Sequence, residues 1–283
     1  MEQKVNPFQA TVANVANFLA YAVEEGREYT TINGYRSAIS AYHPEIEGHK
    51  VGQHPIIKQM MTGIFHQKPP TPKYTETWDV RTVLDYIKHK GDNDTLSDKT
   101  LTWKTAMLIA LTNASRAHEI KNINPLQTQD FGEKIIFHIS NLTKSKRQGK
   151  PQVTATLIEY TKDKLLDSVM CYRAYLKRTT EWRVTPEQKN QLFLSLVTPH
   201  APVTTSTISR WLREIMTDAG VNTTLFKAHS VRGASTSKAS KEGLSVGQII
   251  EKANWSNAGT FQKFYCRTVK DSERDFQNKV FEL

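Results

Sequence analysis

Three prolines in four positions, Pro69, Pro70 and Pro72, interrupt this chain in a way that no helix or central strand tolerates. Proline lacks an amide hydrogen, holds φ near about −65°, and pushes the preceding residue out of the helical region. The stretch Lys68-Pro69-Pro70-Thr71-Pro72-Lys73 is therefore an extended, semi-rigid linker. It divides the 283 residues into a smaller part, 1–68, and a larger one, 74–283, joined by 69–73.

The patterning differs on the two sides. Upstream, Phe8, Val12, Val15, Phe18, Leu19, Ala22 and Val23 recur at helical spacing, and Gly26 ends the run. Thr30 and Thr31 are candidate caps for a second helix with Ile32, Tyr35, Ile39 and Tyr42, stopped by Pro44. Pro55 suits the first turn of a third, with Ile56, Ile57, Met60, Met61 and Ile64. Downstream, Val80, Val83, Leu84 and Ile87 mark a helix, and residues 101–111 are apolar on nearly every side, as in a buried helix. The period then changes to two: Ile135, Phe137 and Ile139 alternate, as do Val153, Ala155 and Leu157, which predicts a hairpin with a basic tip. Helical spacing returns over residues 165–176 and at Ile208, Trp211, Leu212 and Ile215. The expected fold is mainly α with a small antiparallel sheet, in two domains.

Composition removes several classes. With 38% hydrophobic and 23% charged residues the chain can bury cores, which excludes a disordered tail. No apolar run approaches the roughly eighteen residues of a membrane span, and Met1-Glu2-Gln3-Lys4-Val5-Asn6 is not a signal-peptide core. Cys171 and Cys266 are the only cysteines, too few for a disulfide framework or a cysteine-built zinc site, so a reducing intracellular compartment is expected. The net charge is +10, yet residues 1–75 carry seven basic and six acidic side chains. The excess is thus concentrated downstream, which points to a polyanion, with nucleic acid ahead of a membrane surface.

Four separated segments hold residue types that carry chemistry. In Leu111-Thr112-Asn113-Ala114-Ser115-Arg116-Ala117-His118-Glu119-Ile120, Arg116 and Glu119 are three apart, so a carboxylate can orient a guanidinium; a surface ion pair has the same spacing. The hairpin tip carries Lys144, Lys146 and Arg147, and reads as a functional lysine, a solvated loop or a nuclear-import patch. In Ala228-His229-Ser230-Val231-Arg232-Gly233, His229 and Arg232 share a helix face and suit one phosphate, though a lone His-x-x-Arg is common by chance. In the fourth segment Trp255 precedes Ser256, a candidate cap for a helix on which Phe261, Phe264 and Tyr265 are neighbours; Phe261 and Phe264 read as core.

Their order carries more than any one of them. Arginine, a hairpin lysine, His-x-x-Arg, tryptophan, then a tyrosine near the C-terminus resembles the tyrosine recombinase (phage-integrase) family, over nearly the whole chain. The phrases Gly34-Tyr35-Arg36-Ser37-Ala38-Ile39-Ser40 and Thr260-Phe261-Gln262-Lys263-Phe264-Tyr265, with the proline linker, are most similar to recombinases of eukaryotic DIRS-type retrotransposons. The resemblance implies a helical core-binding domain over 1–68 and an α+β catalytic domain over 74–283. It makes Arg116 and Arg232 clamps on a scissile phosphate, with Glu119 in support. His229 becomes a proton acceptor, Trp255 occupies the place of a second histidine, Lys144 protonates the leaving oxygen, and Tyr265 is the nucleophile. Trp255 to Tyr265 is one position longer than the commoner bacterial pattern, and Lys146 competes with Lys144 for the lysine role.

That chemistry is coherent. Two arginines neutralise the phosphorane oxygens without a metal, and their planar forks match two oxygens at once. A phenol of pKa about 10 needs a base or a positive field to attack, and a positioned acid for the departing 5′ oxygen contributes on the order of 100-fold. The implied partner is double-stranded DNA, with Arg36, Lys146, Arg147, Arg210 and Arg213 as candidate contacts. Self-association on DNA as dimer to tetramer is also implied, with the C-terminal segment either exchanged in trans or packed back on its own domain. No cofactor, metal or membrane is expected, and a nuclear location fits an element of this kind. A type IB topoisomerase or a DNA-binding protein that has lost cleavage are the rival readings.

Overall fold

The computed structural model describes residues 6–70, 76–139, 154–255, 259, 261 and 268–269. Lys144, Lys146, Arg147, Phe264 and Tyr265, and the segment beyond residue 269, lie outside them. The chain forms two units, Met1–Lys73 and Tyr74–Leu283.

In the first unit, Thr11 starts α1 (Val12–Glu24) through a capping box. Asn14 donates its amide to Thr11 Oγ1 at 3.2 Å, and Thr11 donates its own to Asn14 Oδ1 at 2.9 Å. Helices α2 (Tyr29–Tyr42) and α3 (Pro55–Gln67) complete a three-helix core of Val12, Val15, Leu19, Ala22, Ile32, Val51, Ile57, Met61 and Ile64. Two expectations shift. Phe8 lies in a separate 3₁₀ turn capped by Asn6 and is exposed, so it is not part of the first helix. Thr30 and Thr31 sit inside α2, because the Glu28 carbonyl already accepts the amides of Thr31 and Ile32, an earlier start that puts Ile32 in the core. Pro55 is at the first position of α3, and α2 ends just before Pro44, as the spacing predicts.

The second unit begins with β1 (Glu76–Thr77) and α4 (Val80–Lys90), which Asp79 caps. Helix α5 (Asp98–Thr112) is buried around its circumference, Thr102, Lys104 and Thr105 included. After α6 (Ala117–Lys121) come β2 (Thr128–Asp130), β3 (Lys134–His138) and β4 (Thr154–Ile158), an antiparallel sheet in the order β2-β3-β4. Ile135, Phe137, Ala155 and Leu157 point into the core, so the period-two reading holds; β2 carried no such signal. Helices α7 (Ser168–Arg178), α8 (Pro186–Lys189), α9 (Thr205–Asp218), α10 (Ser230–Lys241) and α11 (Val246–Lys252) follow, then β5 (Thr268–Val269). The helical spacing from residue 165 becomes α7 only at Ser168. Buried Asp167 accepts the amides of Val169 and Met170, and Lys164–Leu166 is a 3₁₀ turn.

Helix α5 is the axis of this unit, packed by α7, α9 and α10. β5 pairs parallel with β1, Thr268 opposite Glu76. None of the helices among the described residues is long and apolar enough to cross a membrane.

One buried bond ties the start of this unit to α10: the Trp78 indole N–H donates to Ser230 Oγ at 2.9 Å. Removing the acceptor leaves that donor unsatisfied in the interior. Ser230→Ala is expected to destabilise the unit by about 1–3 kcal/mol. Urea denaturation followed by tryptophan fluorescence reads this unit alone, since all five tryptophans lie in it.

Candidate active site

The site is built where the chain leaves α5. Ala114 takes a left-handed conformation, φ +46°, which a Cβ makes costly, and so turns the chain sharply out of the helix. Arg116 then becomes the N-cap of α6. Glu119, one turn on and 4% exposed, accepts the Arg116 amide at 2.7 Å through Oε2 and the Arg116 Nη1 at 2.7 Å through Oε1. The pair is not the surface ion pair that the segment alone suggested.

The same carboxylate serves a second guanidinium. Glu119 Oε2 lies 3.7 Å from Nη1 of Arg232, which comes from the first turn of α10. Arg232 is 1% exposed; Nη1 donates to the Ala114 carbonyl at 2.7 Å, and Nη2 donates to the Ala253 carbonyl. Its guanidinium carbon stands 4.7 Å from the ring centre of Trp255, a cation–π contact, and Trp255 stacks on Phe261 at 5.6 Å. Ala114, Ile249, Ala253, Trp255 and Phe261 form a small apolar cluster of their own, so Phe261 is core as expected. Asn254, also left-handed at φ +52°, turns the chain between Ala253 and Trp255, a conformation that asparagine tolerates well.

Two guanidiniums share one carboxylate, so the cluster carries one net positive charge in a poorly solvated place, where an anion is attracted more strongly than in water. Arg116 keeps part of its side chain in solvent. His229, at the N-cap of α10, is exposed, whereas Arg232 three residues on is buried, so the shared helix face divides into an outer and an inner group. Of the proposed DNA contacts, Arg210 and Arg213 are exposed on α9, with Arg210 4.0 Å from Glu214. Arg36 is half-buried on α2.

Other reactive groups fare differently. Burial pushes the Cys171 thiol up to about 11 and the Tyr175 phenol up to about 12, and raises Tyr172 as well, so none is a ready nucleophile near neutral pH. Tyr160 is 43% exposed but lies past β4, outside the Arg116–Arg232 cluster. Tyr265 is outside the described residues; in sequence it falls between the buried Phe261 and β5. The carbonyls of Ala114 and Ala253 are parts of the site that no residue-type pattern reveals.

The shared carboxylate gives a direct check. Glu119→Gln removes the carboxylate from beside two guanidiniums, one of them fully buried. A loss on the order of 3 kcal/mol is expected in urea denaturation.

No family model matches this sequence, and no curated protein matches it. Solved structures do. The integrase of the Tn1549 transposon, in complex with transposon right-end DNA, is similar with a TM-score of 0.61 at 14% identity, over 96% of this chain and 86% of that one. XerH site-specific recombinase bound to a palindromic difH substrate gives 0.61 at 13% identity, over 96% and 72%. XerA recombinase gives 0.52 at 14% identity, over 99% and 86%. The mostly helical architecture with its three-stranded antiparallel sheet is the fold of the tyrosine recombinase catalytic domains.

Proposed function

We propose that this chain is a site-specific DNA recombinase or integrase that cuts and rejoins strands through a covalent 3′-phosphotyrosyl intermediate, in the service of a mobile element of the DIRS retrotransposon type. One observation carries the reading: Arg116 and Arg232, 116 residues apart, meet on the single carboxylate of Glu119 within a recombinase fold. In this reading the Tyr265 oxygen attacks phosphorus and loses its proton to His229 or solvent. The bond from phosphorus to the 5′ oxygen breaks, and Lys144 or Lys146 supplies the proton that this oxygen takes up. The positive cluster stabilises the charge that builds on the non-bridging oxygens. The reverse steps join the 3′ end to a new 5′ hydroxyl, with no external energy source. Residues 1–68 serve as the core-binding domain and 74–283 as the catalytic domain. The protein assembles as dimer to tetramer on DNA, through the segment after Tyr265.

A second reading, a DNA-binding protein of the same fold without cleavage, draws on the 1% exposure of Arg232, whose two terminal nitrogens are engaged by main-chain carbonyls. Covalent capture separates the two. Duplexes recovered from random DNA by binding selection, nicked near the contacted site, are expected to become linked to the wild-type protein, in chelator as well as without it. Tyr265→Phe is expected to bind equally and form no adduct. Binding without any adduct in the wild type favours the second reading.

Electrostatics supplies another expectation. If roughly six to ten phosphates are neutralised, log affinity falls with log salt at a slope of about −5 to −9. A slope near about −1 would make the +10 net charge incidental to binding.

A further inference from the structure

β4 is an outer strand of the three-stranded sheet, and an open strand edge leaves main-chain donors and acceptors unanswered. At Thr156 both groups that point away from β3 are answered by side chains. The Thr156 amide donates to Oδ1 of Asn113 at 2.8 Å, and its carbonyl accepts from Nζ of Lys252 at 3.1 Å.

Both partners are held for the task. Asn113 is 4% exposed, and its Nδ2 donates to the Ile109 carbonyl at 3.4 Å and to Thr112 Oγ1 at 3.1 Å, which leaves its oxygen as the acceptor for the strand. Lys252 is the last residue of α11. The residue is exposed overall, yet desolvation around its ammonium lowers the pKa from the usual lysine value.

Their places in the chain are the telling point. Asn113 directly precedes Ala114, and Lys252 directly precedes Ala253, the two residues whose carbonyls hold Arg232. Two parallel rungs therefore join the same two loops, one through the Arg232 guanidinium and one through the Thr156 backbone. β4 is also the strand that the chain enters from residues 140–153, which include Lys144 and Lys146.

We propose that Asn113 and Lys252 are positioning residues for strand cleavage: they lock the β4 edge to the Arg232 anchor, and so set the point from which the chain leads back to the lysine that protonates the leaving oxygen. The inference rests on the cleavage reading above. Neither residue touches DNA in this role. Each acts through Thr156.

The test separates leaving-group protonation from general damage. The selected duplex is prepared in two forms, one with the ordinary bridging 5′ oxygen at the scissile phosphate and one with sulfur there. When the phosphorus–sulfur bond breaks, the sulfur departs as a thiolate and needs no proton. Asn113→Ala and Lys252→Met are expected to slow covalent capture of the oxygen duplex by about 10- to 100-fold. Capture of the sulfur duplex is expected to stay within about threefold of wild type. Lys252→Arg, which keeps the donor, is expected to recover most of the oxygen-duplex rate. Should Asn113→Ala unfold, Lys252→Met carries the comparison. Equal losses on both duplexes, or no loss on either, overturn the positioning role. Failure of the wild type to capture even the sulfur duplex instead overturns the cleavage reading, and this inference with it.

Discussion

A guanidinium with almost no access to water organises the arginine cluster of the second unit. Arg232 costs free energy to bury, and the structure offsets that cost with two carbonyls, a carboxylate and an indole face. Those partners come from two stretches far apart in sequence, 114–119 after α5 and 253–255 after α11, so satisfying one side chain draws both onto α10. The left-handed Ala114 and Asn254 are part of the same arrangement. Each turns its loop beside a carbonyl that the guanidinium uses.

Arg116 has the complementary position. It shares Glu119 with Arg232 but keeps solvent access, so the pair consists of a fixed inner charge and an outer one with room to contact a ligand. His229 also lies outward, one residue ahead of the α10 turn that carries Arg232 inward. In the proposed reaction, buried Arg232 acts on the phosphate through its field, and direct contact falls to Arg116 and His229.

Much of this was legible in the sequence because it depends on local chemistry. The 3.6 period marks α1, α3 and α9, a run apolar on nearly every side marks α5, and the alternation of Ile135 and Phe137 against Ala155 and Leu157 marks the hairpin strands. The spacing of Arg116 and Glu119 anticipates their contact. What was hidden depends on long-range geometry. No pattern of residue types announces that Ala114 and Ala253 contribute carbonyls, that Glu119 reaches Arg232, or that Asn113 and Lys252 share one strand residue, because main-chain acceptors have no residue signature. Short elements were missed for a related reason. β1, β2 and β5 have two or three residues each, too few to display a period. The α2 and α7 starts shifted because tertiary burial of Ile32 and capping by Asp167 outweighed the nearest hydroxyl or apolar residue.

The pairing of β1 with β5 gives the second unit an unusual closure. Glu76, three residues past Lys73 at the end of the first unit, lies beside Thr268, three residues past Tyr265. The start of the unit is thus spliced to a strand near Tyr265 by a ladder of only two residue pairs. So short a ladder contributes little stability by itself and opens at small free-energy cost. This seam, easily opened, lies three positions from Tyr265 in the chain.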